Sequence, residues 1–431
     1  MGRGQRISRR KMLTRVAAGA ACGLALPDFV PAAAMAAATR PAANDRVTVA
    51  FIGIGGRARL LIDQLPETGQ IAAVCDCFVK RAEEAAHKAA TAGRGKWRIY
   101  QDHRKLLEAK DIDAVVVVTT DHGRVLPCIH ACQASKDVYA EKPLTVYIRE
   151  GRMLVNAVRK YGRVFQVGSQ QRSMEMNRFA CEFVRTGRLG KIREVRGICY
   201  TGPGRYQGLP EQPIPEGLDW DRWVNQTEMR PYNAGLQFGW MGWRDYSGGE
   251  MTNWGAHGLD QIQWALGMDG TGPVEIWPVT PGTNGKVHYR YANGVLVKLD
   301  LEKGPHGGGI FVGEKGKIEI NRNKFTTNPK DLIKHPPPES EAAKWSDEVA
   351  LWQARYHMEN WLQCIKTRKR PVADVEIGHR SISVCHLANI AREVGRRLQW
   401  DPAKELFVGD DEANNYVARP RRKGYELPDP V

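Results

Sequence analysis

The sequence predicts an α/β protein in two parts: a doubly wound parallel sheet over residues 46–165, and an α+β part over 166–400 with a large, mainly antiparallel sheet. Three observations predict it. β-Branched runs alternate with helical patterns from about 46 to 165, as parallel strands joined by crossover helices require. A glycine-rich turn joins the first of those strands to the first helix. Beyond about residue 170, strand–turn–strand patterns follow one another, which builds an antiparallel sheet. A chain of 431 residues has ample core for both parts.

Residues 1–40 stand apart. "SRRKMLT" (8–14) leads into the mildly apolar "VAAGAACGLAL" (16–26) and then "VPAAAMAAA" (30–38). A basic start, an apolar stretch too short to span a bilayer and small residues near a cleavage region make a signal peptide. The Arg9-Arg10 pair, followed by Met12 and Leu13, resembles a twin-arginine signal, so the mature chain is expected to be exported to the periplasm or beyond, already folded and carrying a cofactor. A Sec signal or a retained anchor is the alternative. No later segment is apolar enough to span a membrane. Among nine cysteines no Cys-x-x-Cys pair occurs, and folding before export implies thiols, mostly buried.

The formal charge is +15; residues 1–45 hold seven Lys/Arg and two Asp, so about +10 remains without them. That charge is dispersed, apart from "KTRKRP" (366–371), which reads as a solvated turn after a helix. No nucleic-acid partner is expected.

"RVTVAFIGIGGRARLLIDQL" (46–65) is the first strand, turn and helix. Gly53, Gly55 and Ala58 fall on G-x-G-x-x-[GA] spacing, with Gly56 and Arg57 between them. The first glycine permits the turn, the second admits a pyrophosphate, and the small Ala58 lets helix meet strand. The next strand, "QIAAVCDC" (70–77), ends in Asp76, about twenty residues on, where an acid bonds ribose hydroxyls. A carboxylate there favours NAD; the cations Arg57, Lys80 and Arg81 keep NADP as the alternative. A buried strand, "DAVVVVTT" (113–120), ends in Thr119 and Thr120; "RVLPCIHACQAS" is helical, and "DVYAEKP" (137–143) is a further strand. Ligands of such sheets lie at the strand C-termini.

In the second part, "EVRGICYTG" (194–202) reads as a strand, "KVHYRYANGVLVKLDLEKG" (286–304) as a hairpin with an Asn-Gly turn, and "GGIFVGEKGKIEI" (308–320) as another hairpin. Between them 217–249 is loop-like and dense in Trp, Tyr and charge, a composition that suits sugar binding as well as core packing. "IKHPPPESE" (333–341) is a loop, and 401–431 is a C-terminal extension. In "NWGAHGLDQ" (253–261), Asn253, His257 and Asp260 share a helix face if a helix begins near Gly255. This is either a base with its supports or one face of a core helix. His-x-x-Asp with no second His or Cys nearby lacks a metal ligand set, so no metal is expected.

"AEKPL" (140–144), with "GIGGRA", "VCD", "VGSQQRS" (167–173) and "GGEMTNWGAHGLD" (248–260), resembles the glucose–fructose oxidoreductase / inositol dehydrogenase (Gfo/Idh/MocA) family, in particular its exported members. "HMENWLQCIKTRKRPVADVEIGHRSISVCHLANIA" (357–391) is similar to their C-terminal portion, so the likeness spans nearly all of 46–400. The resemblance implies a Rossmann domain binding NAD, with Lys142 beside the nicotinamide and on the reacting hydroxyl, Glu141 near the nicotinamide ribose, and His257 as the proton acceptor. Many relatives carry Asp where this chain has Asn253. Either Asp260 compensates, or His257 binds substrate while Lys142 or a tyrosine moves the proton. Gln171, Arg172, Trp243, Arg244, Asp245 and Asn253 are the candidate substrate contacts. The family's second sheet implies a homo-oligomer, a dimer or tetramer.

Three functions are compatible with this reading. The first is NAD-dependent oxidation of a sugar or polyol hydroxyl with a tightly bound, recycled nicotinamide. The second is glycoside hydrolysis by transient C3 oxidation, elimination and re-reduction. The third is sugar binding without catalysis.

Overall fold

The computed structural model describes residues 45–343 and 353–428. The signal segment read at residues 1–40 lies outside them. Six strands form the first sheet: β1 (Val47–Ile52), β2 (Gly69–Cys75), β3 (Arg98–Tyr100), β4 (Ala114–Val117), β5 (Asp137–Ala140) and β6 (Phe165–Val167). All pairs are parallel, and the order β3-β2-β1-β4-β5-β6 reverses direction between β1 and β4. A crevice opens at that reversal, outside the strand C-termini. The three-residue strands β3 and β6 carry no alternating run long enough to read in sequence.

One face of this sheet, with Ala50, Ile52, Val115 and Val138, packs beneath helices Val125–Gln133 and Ile148–Lys160. The other face, with Val49, Phe51, Val74, Val116 and Tyr139, lies under helices Gly56–Gln64 and Val79–Thr91. A third helix, Arg355–Thr367, completes that second face from far along the chain, adding Met358, Trp361 and Leu362. Tyr139 and Trp361 meet edge to face at 5.7 Å. At the end of that helix the "KTRKRP" run does form a turn. Arg368 adopts a left-handed conformation there (φ 57°) and pairs with Asp137.

The second sheet has nine strands: β7 (Ile192–Ile198), β8 (Glu275–Pro278), β9 (Val287–Arg290), β10 (Leu296–Leu301), β11 (Gly309–Gly313), β12 (Gly316–Asn321), β13 (Lys324–Asn328), β14 (Leu398–Asp401) and β15 (Leu406–Phe407). Their order is β13-β12-β11-β7-β10-β9-β8-β14-β15. Only β7 and β10 pair in parallel, so the sheet is mixed but mostly antiparallel. Helices Glu175–Arg185, Gly255–Ala265 and Val375–Val394 cover one face with a core continuous with that of the first sheet. The other face carries charge, including the Arg196–Asp300 and Lys298–Glu194 pairs. The Trp-rich stretch 217–249, read as loop, contains short helices Trp220–Val224 and Ala234–Gly239. Trp220 and Trp223 stack at 4.5 Å in a small aromatic core with Tyr232 and Tyr246. The eight described cysteines are free thiols, six of them buried, and no described helix is long and apolar enough to cross a membrane.

Arg172, on the turn after β6, is 2 % exposed and reaches into the second part. Its Nε and Nη2 donate to the Asp260 carboxylate at 2.9–3.0 Å, and its Nη2 to Asp269 at 2.7 Å. Ser381 adds a hydrogen bond to Asp260 at 2.7 Å. A buried guanidinium needs such compensation, and removing one partner of a buried pair costs about 3–5 kcal/mol. Arg172→Met should therefore destabilise the protein by about that amount in denaturant unfolding. A loss below about 1 kcal/mol would contradict this role.

Candidate active site

A cavity of about 640 Å³ lies at the crevice, lined from the first sheet by the loops after β1, β2, β4 and β5 and from the second part by Asn253 and His257. At the first turn Gly53 has φ +89°, and a Cβ there would stand 2.7 Å from the Val118 carbonyl oxygen. Only glycine accommodates that conformation and that approach. A Cβ on Gly55 or Gly56 would meet nothing within 4 Å, so open space stands over the start of the 56–64 helix, which has no side-chain cap. Backbone N–H groups there suit a pyrophosphate. Ala58 is fully buried against the sheet.

Asp76 closes the opposite lip of the turn. One carboxylate oxygen accepts the Ile54 N–H at 2.6 Å and the other the Phe78 N–H at 2.8 Å. Burial raises its pKa, against those two hydrogen bonds and Arg81. Of the three cations that kept NADP open, Arg57 pairs with Glu141 at 2.9 Å and Lys80 with Glu216 at 2.9 Å; Arg57 and Arg81 both line the cavity, Arg81 acting on Asp76. The open glycine turn and the fixed Asp76 fit an NAD pyrophosphate and ribose. Thr119 and Thr120 line the middle of the cavity.

Glu141 and Lys142 follow β5. Glu141 is 3 % exposed and accepts from Arg57 Nε. Lys142 Nζ donates to Asn253 Oδ1 at 2.7 Å and to the Asn253 carbonyl at 3.3 Å. Burial pulls its pKa down to about 8; Glu141 and Asp121 oppose this, and Arg57 and Arg124 reinforce it. His257 sits in the first turn of the 255–265 helix, 3 % exposed, with its ring edge to face on Trp254 at 5.8 Å. Burial, then Arg322, Lys142 and Arg57, hold its pKa well below the usual imidazole range. The imidazole is therefore neutral.

Several expected contacts fall elsewhere. Asp260 does not line the cavity: three residues along a helix carries it about 4.5 Å down the axis from His257, into the Arg172 pair. It therefore cannot stand in for an acid at 253. Asn253 turns its amide to Lys142 and Glu250 instead of supporting the imidazole. Gln171 donates to the Gly307 carbonyl and accepts from Arg322, while its neighbour Gln170 lines the cavity. Arg172 is held by its two aspartates. Trp243 packs edge-on to Tyr206 at 5.4 Å, Arg244 pairs with Glu393 at 2.9 Å, and Asp245 with Arg230 at 2.6 Å. None of these lines the cavity. Aromatic density in 217–249 signalled mutual packing; the residues it sends to the cavity include Arg222, Phe238 and Trp240. Asp121 and Arg124 were also missed, although their place just after the strand ending in Thr119 and Thr120 was a usable signal. Tyr425 lines the cavity with no local signal at all. Among the described residues no three His, Cys, Asp or Glu side chains gather as metal ligands.

Residues 47–169 match the Gfo/Idh/MocA oxidoreductase family's NAD-binding Rossmann fold, and residues 199–427 match that family's C-terminal alpha/beta domain. The scyllo-inositol 2-dehydrogenase (NAD(+)) of Bacillus subtilis (strain 168) is 31% identical over 348 residues, spanning 76% of this chain and 88% of that protein. A glycosyl hydrolase family 109 protein of Streptomyces filamentosus is 33% identical over 154 residues, 32% of this chain and 31% of its own length. Among solved structures, the WlbA dehydrogenase from Chromobacterium violaceum, in complex with NADH and UDP-GlcNAcA, matches with a TM-score of 0.61 at 18% identity, covering 84% of this chain and 98% of that one. The glycine turn, Asp76 and the Lys142 end of the cavity are thus features of a protein that belongs to the Gfo/Idh/MocA family of NAD-binding oxidoreductases.

Proposed function

We propose that this enzyme oxidises a hydroxyl of a sugar or polyol with an NAD that it retains between turnovers. The observation that carries the reading is the Lys142 amine, half-buried at the cavity wall and held by an uncharged amide oxygen. NAD, when bound, supplies the acceptor for the hydride that leaves the substrate carbon. The first turn and Asp76 would hold its pyrophosphate and ribose. Lys142 takes the hydroxyl proton, because an amine titrating at about 8 keeps a neutral fraction of roughly a tenth at pH 7, far more than an ordinary lysine. His257 is a poor resting place for that proton, with Lys142, Arg57 and Arg322 opposing its charge. It orients the hydroxyl as a neutral hydrogen-bond partner. This differs from the simple histidine-base scheme that the family resemblance implies.

Retention is supported by the C-terminal segment. Tyr425 lines the cavity near Arg104 and Arg222 and donates its hydroxyl to Asp221 at 2.5 Å. Arg422 ties the same segment to Asp221 and to the Asn225 carbonyl, and Arg421 pairs with the buried Glu150 at 2.8 Å. A trapped cofactor suits the exported setting read from residues 1–40, where no nucleotide pool would replace it. The local match to a family 109 glycosyl hydrolase favours a second reading, in which one substrate is oxidised, cleaved and re-reduced.

The functional test is to incubate the purified protein, without added nucleotide, with inositols, free sugars and aryl glycosides. Multiple turnovers of coupled sugar oxidation and reduction are expected. Release of phenol would select the hydrolytic reading, and a strict need for stoichiometric external NAD would remove the retained cofactor. The rate of the wild type should rise with pH through about 8, as Lys142 loses its proton. Lys142→Arg should abolish that limb and cost roughly 100-fold or more in kcat; an unchanged limb would assign the proton elsewhere. Tyr425→Ala should speed NAD loss on gel filtration by about tenfold, equivalent to about 1.4 kcal/mol of contact.

A further inference from the structure

Asn253 gives Lys142 an acceptor but no charge; the acids that act on the amine are Glu141, paired with Arg57, and Asp121, paired with Arg124. Of the two, Asp121 is the one whose hydrogen bonds run on toward the chain that holds the amine. It is 2 % exposed, lines the cavity just after Thr120, and acts electrostatically on Lys142. Burial raises its carboxyl pKa, while Arg124, Ser247 and Lys142 hold it down.

Two hydrogen-bonded arms run from this carboxylate. On one, Ser247 Oγ donates to Asp121 Oδ2 at 2.9 Å and accepts the Gly249 N–H at 3.1 Å. The Gly249 carbonyl then accepts the Asn253 N–H at 2.9 Å, and Asn253 Oδ1 accepts from Lys142 Nζ. On the other, Arg124 Nη1 lies 3.5 Å from Asp121 Oδ1 and donates to the Pro143 carbonyl, next to Lys142 in the chain, while its Nη2 donates to the Thr119 carbonyl at 2.6 Å. The arms end on the two pieces of chain that fix the amine: the residue after Lys142, and the amide that holds Nζ.

We propose that Asp121 is the positioning residue for Lys142, fixing both of these segments through Ser247 and Arg124 and adding to Glu141 a second negative charge that steadies the ammonium form once the substrate proton arrives. This rests on Lys142 being the proton acceptor. The charged groups around Nζ are Glu141 and Asp121 on one side of the balance and Arg57 and Arg124 on the other, with His257 neutral. Removing Asp121's charge while keeping its shape disfavours the ammonium and moves its titration to lower pH.

The test uses holoenzyme and two variants, Asp121→Asn, which keeps an acceptor for Ser247, and Ser247→Ala, which keeps the charge but cuts one arm. The pH dependence of Lys142 labelling by 1-fluoro-2,4-dinitrobenzene, read by mass spectrometry, reports the amine without requiring turnover. Asp121→Asn should lower the labelling midpoint by about one pH unit and shift the rising limb of kcat with it. Ser247→Ala should leave the midpoint in place and lower kcat several-fold with little change in KM. An unmoved midpoint in Asp121→Asn overturns the proposal, as does a Ser247→Ala enzyme with wild-type kcat. If the midpoint moves but the wild-type rate shows no limb there, the proton-acceptor reading of Lys142 fails instead.

Discussion

An amine that is to move a proton must be held in place without being so well paired that it can never give that proton up. On the proposed reading the half-buried Lys142 meets that constraint with an amide where a carboxylate would have locked the charge on. Much of the surrounding architecture serves this condition. The reversal of strand order between β1 and β4 opens the crevice, and the 255–265 helix brings the second part to its edge. The acids nearby are each tied to a guanidinium, Glu141 to Arg57 and Asp121 to Arg124. The cavity lining nevertheless holds more cations than acids before any ligand enters, and a small change in one charge is felt by the others in a medium of low polarity.

Arg172 shows the same economy used for a different end. It bridges the turn after β6 to the 255–265 helix through Asp260, one turn along from His257. The first turn of that helix faces the cavity, and its middle is clamped by a charge pair that does not line it.

The features legible in the sequence were those with a local spacing: the glycine turn, Asp76 at the end of β2, Lys142 before Pro143, and a helix starting at Gly255. Each is fixed by a constraint acting over a few residues. Asp260 and Arg172 were misread because sequence spacing says which residues share a helix face but not which buried cation, far away in the chain, will claim the acid. Trp243, Arg244 and Asp245 were misread because a run of aromatic and charged residues has the same composition whether it faces a sugar or packs on itself. Tyr425 and the helix Arg355–Thr367 carry no signal of their destination, since nothing near either of them in the chain marks the first sheet as their partner.

That last helix ties the first sheet to the order in which the chain is made. The face bearing Val49, Phe51 and Tyr139 is roofed in part by Met358, Trp361 and Leu362. On a ribosome every strand of the sheet emerges long before that roof does. During the interval an apolar strip stays uncovered, exposed to chaperones or to self-association, and the nucleotide fold cannot reach its final stability as an autonomous early unit. The half of the molecule that looks most self-sufficient in sequence is the half that has to wait for the other to be synthesised.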